Sequence, residues 1–291
     1  MRHGPARLSS RLFCLGVLVV WMLCGVAAAD TLRVSAIPDE DPQELLRKYK
    51  PFTDYISKEV GMKVKFVPVV DYAATVEGLA AGRLDIVWYG GFTSVQATMR
   101  AKGATRLAMR EEDASFKSVF VARTDSGIET LADLKGKTFA FGSVSSTSGH
   151  LMPRHFLRAA GIEPERDFKK LGFSGAHDAT AAWVAAGRVD AGALNFLVWR
   201  KLVDKKKIDT GKTGVFWTTP PYVDYVWVAG GGVSREVREK FKQALLKLDY
   251  SDPADREIMD LQRTRKFIPA KDSDWDGIKK AAIAAGMLKV N

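Results

Sequence analysis

The residues of this chain best suited to chemistry are a run of hydroxyls, Ser145-Ser146-Thr147-Ser148, followed by Gly149 and an apolar helical pattern. Hydroxyls beside the free N–H groups of a helix start can all donate to one anion, and no neighbouring cation is needed. One serine is accounted for as a helix cap; the whole run exceeds what capping requires. Three further junctions have a related character: Val70-Asp71-Tyr72, Trp88-Tyr89-Gly90-Gly91, and Ser174-Gly175-Ala176-His177-Asp178. Tyr72 and Tyr89 offer phenolic donors, and Gly90 and Gly91 let the backbone approach a ligand closely, although packed rings are the plainer alternative for both tyrosines. His177 at a helix start can donate to an anion, whereas Asp178 beside it is most simply an acid in a first helical turn. His150 and His155 lack the one-turn spacing of a helical metal pair, so neither a metal nor a cofactor is expected.

These junctions need a scaffold that turns strand ends into helix starts, and the periodicity supplies one. Short β-branched runs alternate with amphipathic patterns, which predicts an α/β fold of mostly parallel sheets flanked by helices. Strands are expected at 32–37, 63–69 and 85–88, with helices at 42–60, 73–81 and 92–102. Residues 118–122 read as a strand leaving that unit. A second series follows, with strands at 138–142, 170–173 and 189–194 and helices at 149–160 and 178–186. Both series contain an apolar helix, then Ala-Gly-Arg, an apolar residue and Asp, at 79–85 and again at 184–190. An extended run at 222–228 precedes helices at 235–248 and 274–285, with no strand expected between them. The predicted organisation is one lobe of 30–119 and 226–291 and a second of 120–225, joined by two hinge crossings. In such sheets, ligands sit beyond the carboxyl ends of the strands.

The amino terminus addresses the compartment. Arg2, Arg7 and Arg11 precede an apolar run over 12–26 and then Ala27-Ala28-Ala29, the layout of a secretory signal peptide at 1–29. The run is shorter than the ~20 residues that a membrane span requires. Both cysteines, Cys14 and Cys24, lie in this segment, so cleavage after Ala29 leaves no thiol, in keeping with an oxidising periplasm. Bulky Met22 and Leu23 argue against lipid attachment at Cys24. Removal of the three arginines takes the formal charge from +10 to +7. That field favours an anionic ligand, while the scattered basic residues do not form a nucleic-acid track.

At these four junctions the chain resembles the phosphonate and phosphite binding proteins of ABC importers, a branch of the type II periplasmic binding-protein fold. Asp71-Tyr72-Ala73, Trp88-Tyr89-Gly90, Ser146-Thr147-Ser148-Gly149 and 175–178 carry the likeness, in order and over essentially the whole mature chain. The resemblance implies that Ser146, Thr147, Ser148, Tyr89, Tyr72 and His177 bind an oxyanion. It also places Leu197 where aminoalkylphosphonate binders carry an acid, and a second acidic position at or near Asp224, so an amine-bearing ligand is not expected. The phrases W-Y-G-G-F at Trp88 and Y-V-D-Y-V-W at Tyr222 resemble a subgroup described as selenate importers. The implied protein is a monomer that captures a small anion for an inner-membrane permease.

Two other functions use the same cleft: a periplasmic sensor, and an enzyme with Ser148 or His177 as its catalytic group. No nucleophile, base and orienting residue can be matched, and neither a Gly-x-Ser-x-Gly elbow nor a P-loop is present. The choice among tetrahedral anions turns on protons, because a protonated ligand needs an acceptor. If Asp178 only caps its helix, the other groups are donors, and an aprotic dianion such as selenate should bind at least as well as phosphate. Affinity should then fall as pH rises through the titration of His177, if that side chain donates as its cation.

Overall fold

The computed structural model describes residues 31–289 together with Met1 and Gly4, so the expected signal peptide, its cleavage point and Cys24 lie outside the described residues. Strands β1 (Leu32–Ala36), β2 (Val64–Phe66), β3 (Ile86–Tyr89), β4 (Thr105–Arg106) and β5 (Ala108–Arg110) alternate with helices α1 (Pro42–Val60), α2 (Tyr72–Ala80) and α3 (Gly91–Arg100). The α1 start is legible in the sequence: the Asp41 carboxylate accepts the amides of Gln43 and Glu44, Pro42 sits in the first turn, and Gly61 ends the helix. Leu45, Tyr49, Phe52, Ile56 and Val60 form its buried stripe at helical spacing.

The chain then builds β6 (Ser118–Arg123), β7 (Thr138–Phe141), α4 (Met152–Ala159), α5 (Pro164–Asp167), β8 (Lys170–Phe173), α6 (His177–Ala185), β9 (Ala191–Asn195), α7 (Phe196–Asp204) and β10 (Thr213–Thr218). It finishes with β11 (Val226–Ala229), α8 (Arg235–Leu246), α9 (Pro253–Gln262), β12 (Phe267–Pro269) and α10 (Asp276–Ala284). The sheets have the orders β2-β1-β3-β11-β4 and β10-β6-β9-β7-β8, and β12 pairs with β5 in a small ribbon. In each five-stranded sheet a single strand runs against the rest: β11 in the first and β6 in the second. These are the strands by which the chain returns to one sheet and enters the other. The mostly parallel α/β architecture is as expected. The absence of strands between the last helices is not: α9 and β12 lie there, because Asp252 caps a helix begun by Pro253 and a three-residue strand is too short to show a period.

The two segments crossing between the sheets pair with each other. Phe116 and Tyr222 exchange backbone hydrogen bonds of 2.7 and 2.9 Å, and the Asp224 amide donates to the Asp113 carbonyl at 3.0 Å. Beneath them Asp113 forms a bidentate, fully buried pair with Arg110, whose guanidinium lies 5.2 Å from the Trp88 ring and 5.1 Å from the Tyr225 ring.

The repeated Ala-Gly-Arg phrase has one structural meaning in both places. Gly82 and Gly187 take positive φ of 66° and 67° to end α2 and α6, a conformation glycine adopts without a Cβ penalty. The aspartate that follows then grips the start of the next strand over. Asp85 accepts the Arg33 amide at 2.7 Å, and Asp190 accepts the Thr138 amide at 2.7 Å. The first core is dominated by aromatic rings, with Phe52 stacked on Trp227 at 4.9 Å and Tyr49 on Phe66 at 4.7 Å. Burying each such ring is worth several kcal/mol of transfer free energy, roughly 25 cal/mol per Å² removed from water.

Candidate functional site

The hydroxyl run forms the start of a helix that opens with a wide turn. Residues Thr147–Leu151 adopt π geometry, with the Leu151 amide reaching back to the Ser146 carbonyl at 3.0 Å before α4 begins. Single π turns of this kind are rare and concentrate at functional positions. Ser146 is the cap, its Oγ accepting the Gly149 amide at 3.0 Å. The turn leaves the amides of Thr147 and Ser148 without intrahelical partners. The Ser148 carbonyl accepts the Ser118 hydroxyl at 2.7 Å, and Ser118 is in turn 2.5 Å from the Tyr222 hydroxyl, so residues of both crossing segments brace the turn.

Helix α3 begins at Gly90, which has no side chain with which to cap it, and distant residues do so instead. Asp224 Oδ1 accepts the Gly91 amide, and Thr147 Oγ1 accepts the Phe92 amide, both at 2.8 Å. Glycine is required at this cap. A Cβ on Gly90 would lie 3.0 Å from Thr147 Oγ1 and 3.3 Å from Asp224 Oδ1, tighter than ordinary contact. The Trp-Tyr-Gly-Gly phrase therefore lets a strand end, the hydroxyl turn and a carboxylate converge.

Three polar atoms at this convergence are fully buried and have no hydrogen-bond partner: Tyr72 Oη, Ser148 Oγ and Asp224 Oδ2. The Tyr72 hydroxyl lies near Ser146 without forming a bond of good geometry, and burial together with nearby carboxylates keeps the phenol protonated. Burial pushes the Asp224 carboxyl up to about 7, against the opposing pull of the Gly91 amide and the neighbouring Thr147 and Ser148 hydroxyls. Two donors and one acceptor are thus held dry within one small region. Leaving such atoms unpaired costs about 1–3 kcal/mol each, which a matching ligand recovers.

The other expected site residues are placed differently. The Tyr89 hydroxyl donates to the Thr75 carbonyl at 2.7 Å, which commits its proton to helix α2. Asp178 accepts the Ala179 amide at 2.8 Å and the Asp41 amide at 2.9 Å, so it satisfies a first-turn amide of α6 and holds the loop before α1. His177 is wholly buried, and burial pushes its imidazole down to about 4. Its Nδ1 accepts the Asn195 amide at 3.3 Å, which puts the ring proton of the neutral form on Nε2, 3.3 Å from the Tyr225 hydroxyl. A cationic His177 near neutral pH is therefore not supported: its desolvation outweighs the opposing pull of the buried Asp39 and Glu40 carboxylates. Asp39, Asn195, Ser118 and Tyr225 were not singled out in the sequence. Only Tyr225 had a signal there, within the Tyr222 phrase.

The family of periplasmic substrate-binding proteins of phosphonate ABC transporters matches residues 34–275. A probable ABC transporter phosphite binding protein, PhnD1 of Prochlorococcus marinus (strain MIT 9301), is 40% identical over 260 residues, covering 86% of this chain and 88% of its own. The structure of PhnD1 in complex with methylphosphonate superposes with a TM-score of 0.85 at 37% identity, covering 89% of this chain and 99% of that one. A phosphate-import protein, PhnD of Mycolicibacterium smegmatis (strain ATCC 700084), is 29% identical over 281 residues, covering 89% and 87% of the two chains. Among the described residues no helix is long and apolar enough to cross a membrane. Family, extent and fold agree: the chain belongs to the periplasmic phosphonate-type substrate-binding proteins of ABC importers.

Proposed function

We propose that this chain captures small tetrahedral phosphorus oxyanions of the phosphite, phosphonate and phosphate class as proton-bearing anions, and delivers them as a monomer to its permease. The observation that carries this reading is Asp224 Oδ2, an unpartnered carboxylate oxygen buried beside the Ser148 and Tyr72 hydroxyls. An anion that brings its own proton donates it to that oxygen. An aprotic dianion must instead face a negative charge, or wait for the carboxyl to take up a proton. The preference for selenate assumed that every group other than Asp178 is a donor, and Asp224 supplies the acceptor that assumption lacks. PhnD1, described as a phosphite binder and solved with methylphosphonate, supports the same ligand class. Leu197 is buried and apolar, which supports a ligand without an amine.

The groups come from both sheets, Tyr72 from the first and Ser148 from the second, so capture requires the lobes of 30–119 with 226–291 and of 120–225 to close. A binding role rather than catalysis is supported by His177, both of whose ring nitrogens are engaged away from Ser148. Calorimetry at pH 7 tests the reading with methylphosphonate and phosphate, which carry an acidic proton there, against sulfate and selenate, which do not. The phosphorus anions should bind at least about tenfold more tightly than sulfate and selenate, a gap of about 1.4 kcal/mol, and Asp224→Asn should close the gap. Equal affinity for selenate and methylphosphonate in the wild type sinks it.

A further inference from the structure

Tyr225 joins the two sheets through one oxygen atom. Its ring belongs to the first sheet: it precedes β11, stacks on Trp88 at a centroid distance of 5.6 Å and is covered by the Arg110 guanidinium. Its hydroxyl reaches the second. Asn195 Nδ2, at the end of β9, donates to Tyr225 Oη at 2.9 Å, and His177 Nε2, at the start of α6, lies 3.3 Å away. Tyr225 itself donates to Asp39 Oδ2, just beyond β1, at 3.1 Å. A phenolic oxygen has one proton and two acceptor positions, and this arrangement uses all of them.

Every member of the cluster is sealed from solvent, with Asp39, His177, Asn195 and Tyr225 at 1% exposure or less. Each is also fixed by a second bond. The other amide atom of Asn195 caps α7, accepting the Leu197 and Val198 amides, and the His177 amide donates to the Asp39 carbonyl at 3.0 Å. Networks satisfied in this way specify one arrangement of the groups they connect.

We infer that Tyr225 is a positioning residue for anion capture: its hydroxyl bolts the closed arrangement through Asp39, Asn195 and His177, and so sets how long an anion stays bound without touching it. The inference rests on the receptor reading above. Because the hydroxyl has no hydrogen-bonding capacity left for a ligand, it affects all anions equally. Asp224, by contrast, distinguishes among them.

The test is Tyr225→Phe, which keeps the ring and removes only the bolt. Methylphosphonate, phosphite and phosphate should each bind about tenfold more weakly by calorimetry, with the loss appearing in the dissociation rate in stopped-flow tryptophan fluorescence. Hydrogen–deuterium exchange at the His177 amide, whose bond crosses to Asp39, should be faster than in the wild type. Asn195→Ser keeps a capping oxygen on α7 but is too short to reach Tyr225. It should reproduce the effect, and the double variant should lose no more than about threefold beyond either single change, as expected for residues of one network. Wild-type affinity, a loss that differs more than about threefold among the anions, or unchanged exchange at His177 would overturn the inference. Should Tyr225→Phe fail to fold, Asn195→Ser carries the same measurements. A wild type that binds none of these anions refutes the proposed function; where the wild type binds, exchange at His177 in the methylphosphonate complex decides the bolt separately.

Discussion

Thr147 Oγ1 accepts the Phe92 amide at 2.8 Å, tying the hydroxyl turn of the second sheet to the first turn of α3 behind the first sheet. The neighbouring Gly91 amide goes to Asp224. The positive end of α3 is therefore spent on stabilising a buried carboxylate and on holding the turn that faces it, and is not left to a ligand. On the proposed function, the anion-facing capacity of the site lies in side chains and in the free amides of the hydroxyl turn, and single substitutions can dissect the side-chain part.

Ser148→Ala removes a buried hydroxyl that has no partner in the protein. Affinity for methylphosphonate should fall about tenfold in calorimetry while the thermal midpoint of the free protein changes little, because the hydroxyl makes no hydrogen bond of good geometry and only eases the charge on Asp224. Thr147→Val should lower affinity as well, and additionally strands the Phe92 amide in the closed form at a cost of about 1–3 kcal/mol. A Ser148→Ala protein with wild-type affinity removes this residue from the site.

Asp224 also predicts a pH dependence of stability. Its carboxyl is pushed up to about 7 in the folded protein, above its unfolded value near 3.8, so its contribution is fully present below about pH 4 and is lost as pH rises through 7. Asp224→Asn has no such titration. In the absence of ligand, the variant should gain stability relative to wild type between pH 4 and pH 8, by at most about 4 kcal/mol. Parallel unfolding curves with no relative change over that range contradict the placement of the carboxyl.

His177 titrates the other way. Burial pushes it down to about 4, so it stays neutral from pH 5.5 to 8.5 and loses stability for the fold only as pH falls from about 6.5 through 4. Anion affinity should show no inflection near pH 6.5. An inflection there that disappears in His177→Asn would restore a cationic histidine to the site.

The Arg110–Asp113 pair is buried on both sides. Asp113→Asn leaves the guanidinium uncompensated and should destabilise the protein by about 3–5 kcal/mol in denaturant unfolding. The relative affinities for phosphite, phosphate and methylphosphonate should remain as in wild type, because neither residue supplies an unpartnered atom to the anion site.

What the sequence displayed was local. The hydroxyl run at 145–148, the cap at Asp41 and the two Ala-Gly-Arg phrases each lie within a few residues, and all of them form the structures their patterns imply. What it concealed depends on topology. Asp39, His177, Asn195 and Tyr225 are brought together only because the ends of β1 and β9 and the starts of β11 and α6 lie near one another, and no spacing along the chain encodes that. Tyr89 shows the limit of reading residue type alone: a phenol at a strand end beside two glycines faces the Thr75 carbonyl, while Tyr72, read on the same footing, keeps a hydroxyl without a partner. Asp178 and Asp224 differ in the same way: both accept helix-start amides, but Asp178 spends both oxygens on amides while Asp224 keeps one without a partner.

The antiparallel strand in each sheet also sets an order of assembly. The second sheet has all its strands once β10 ends at residue 218, whereas the first, begun at residue 32, waits for β11 at 226–229. A chain emerging amino terminus first can therefore finish the inserted lobe before the lobe it started. Until β11 arrives, β3 presents an open hydrogen-bonding edge flanked by apolar side chains on its two faces, Val87 on one and Trp88 on the other. Such an edge pairs readily with other extended chains. Any species halted or clipped between the two crossings would thus carry a completed lobe beside a half-built, adhesive one, and aggregation of this protein should begin at β3.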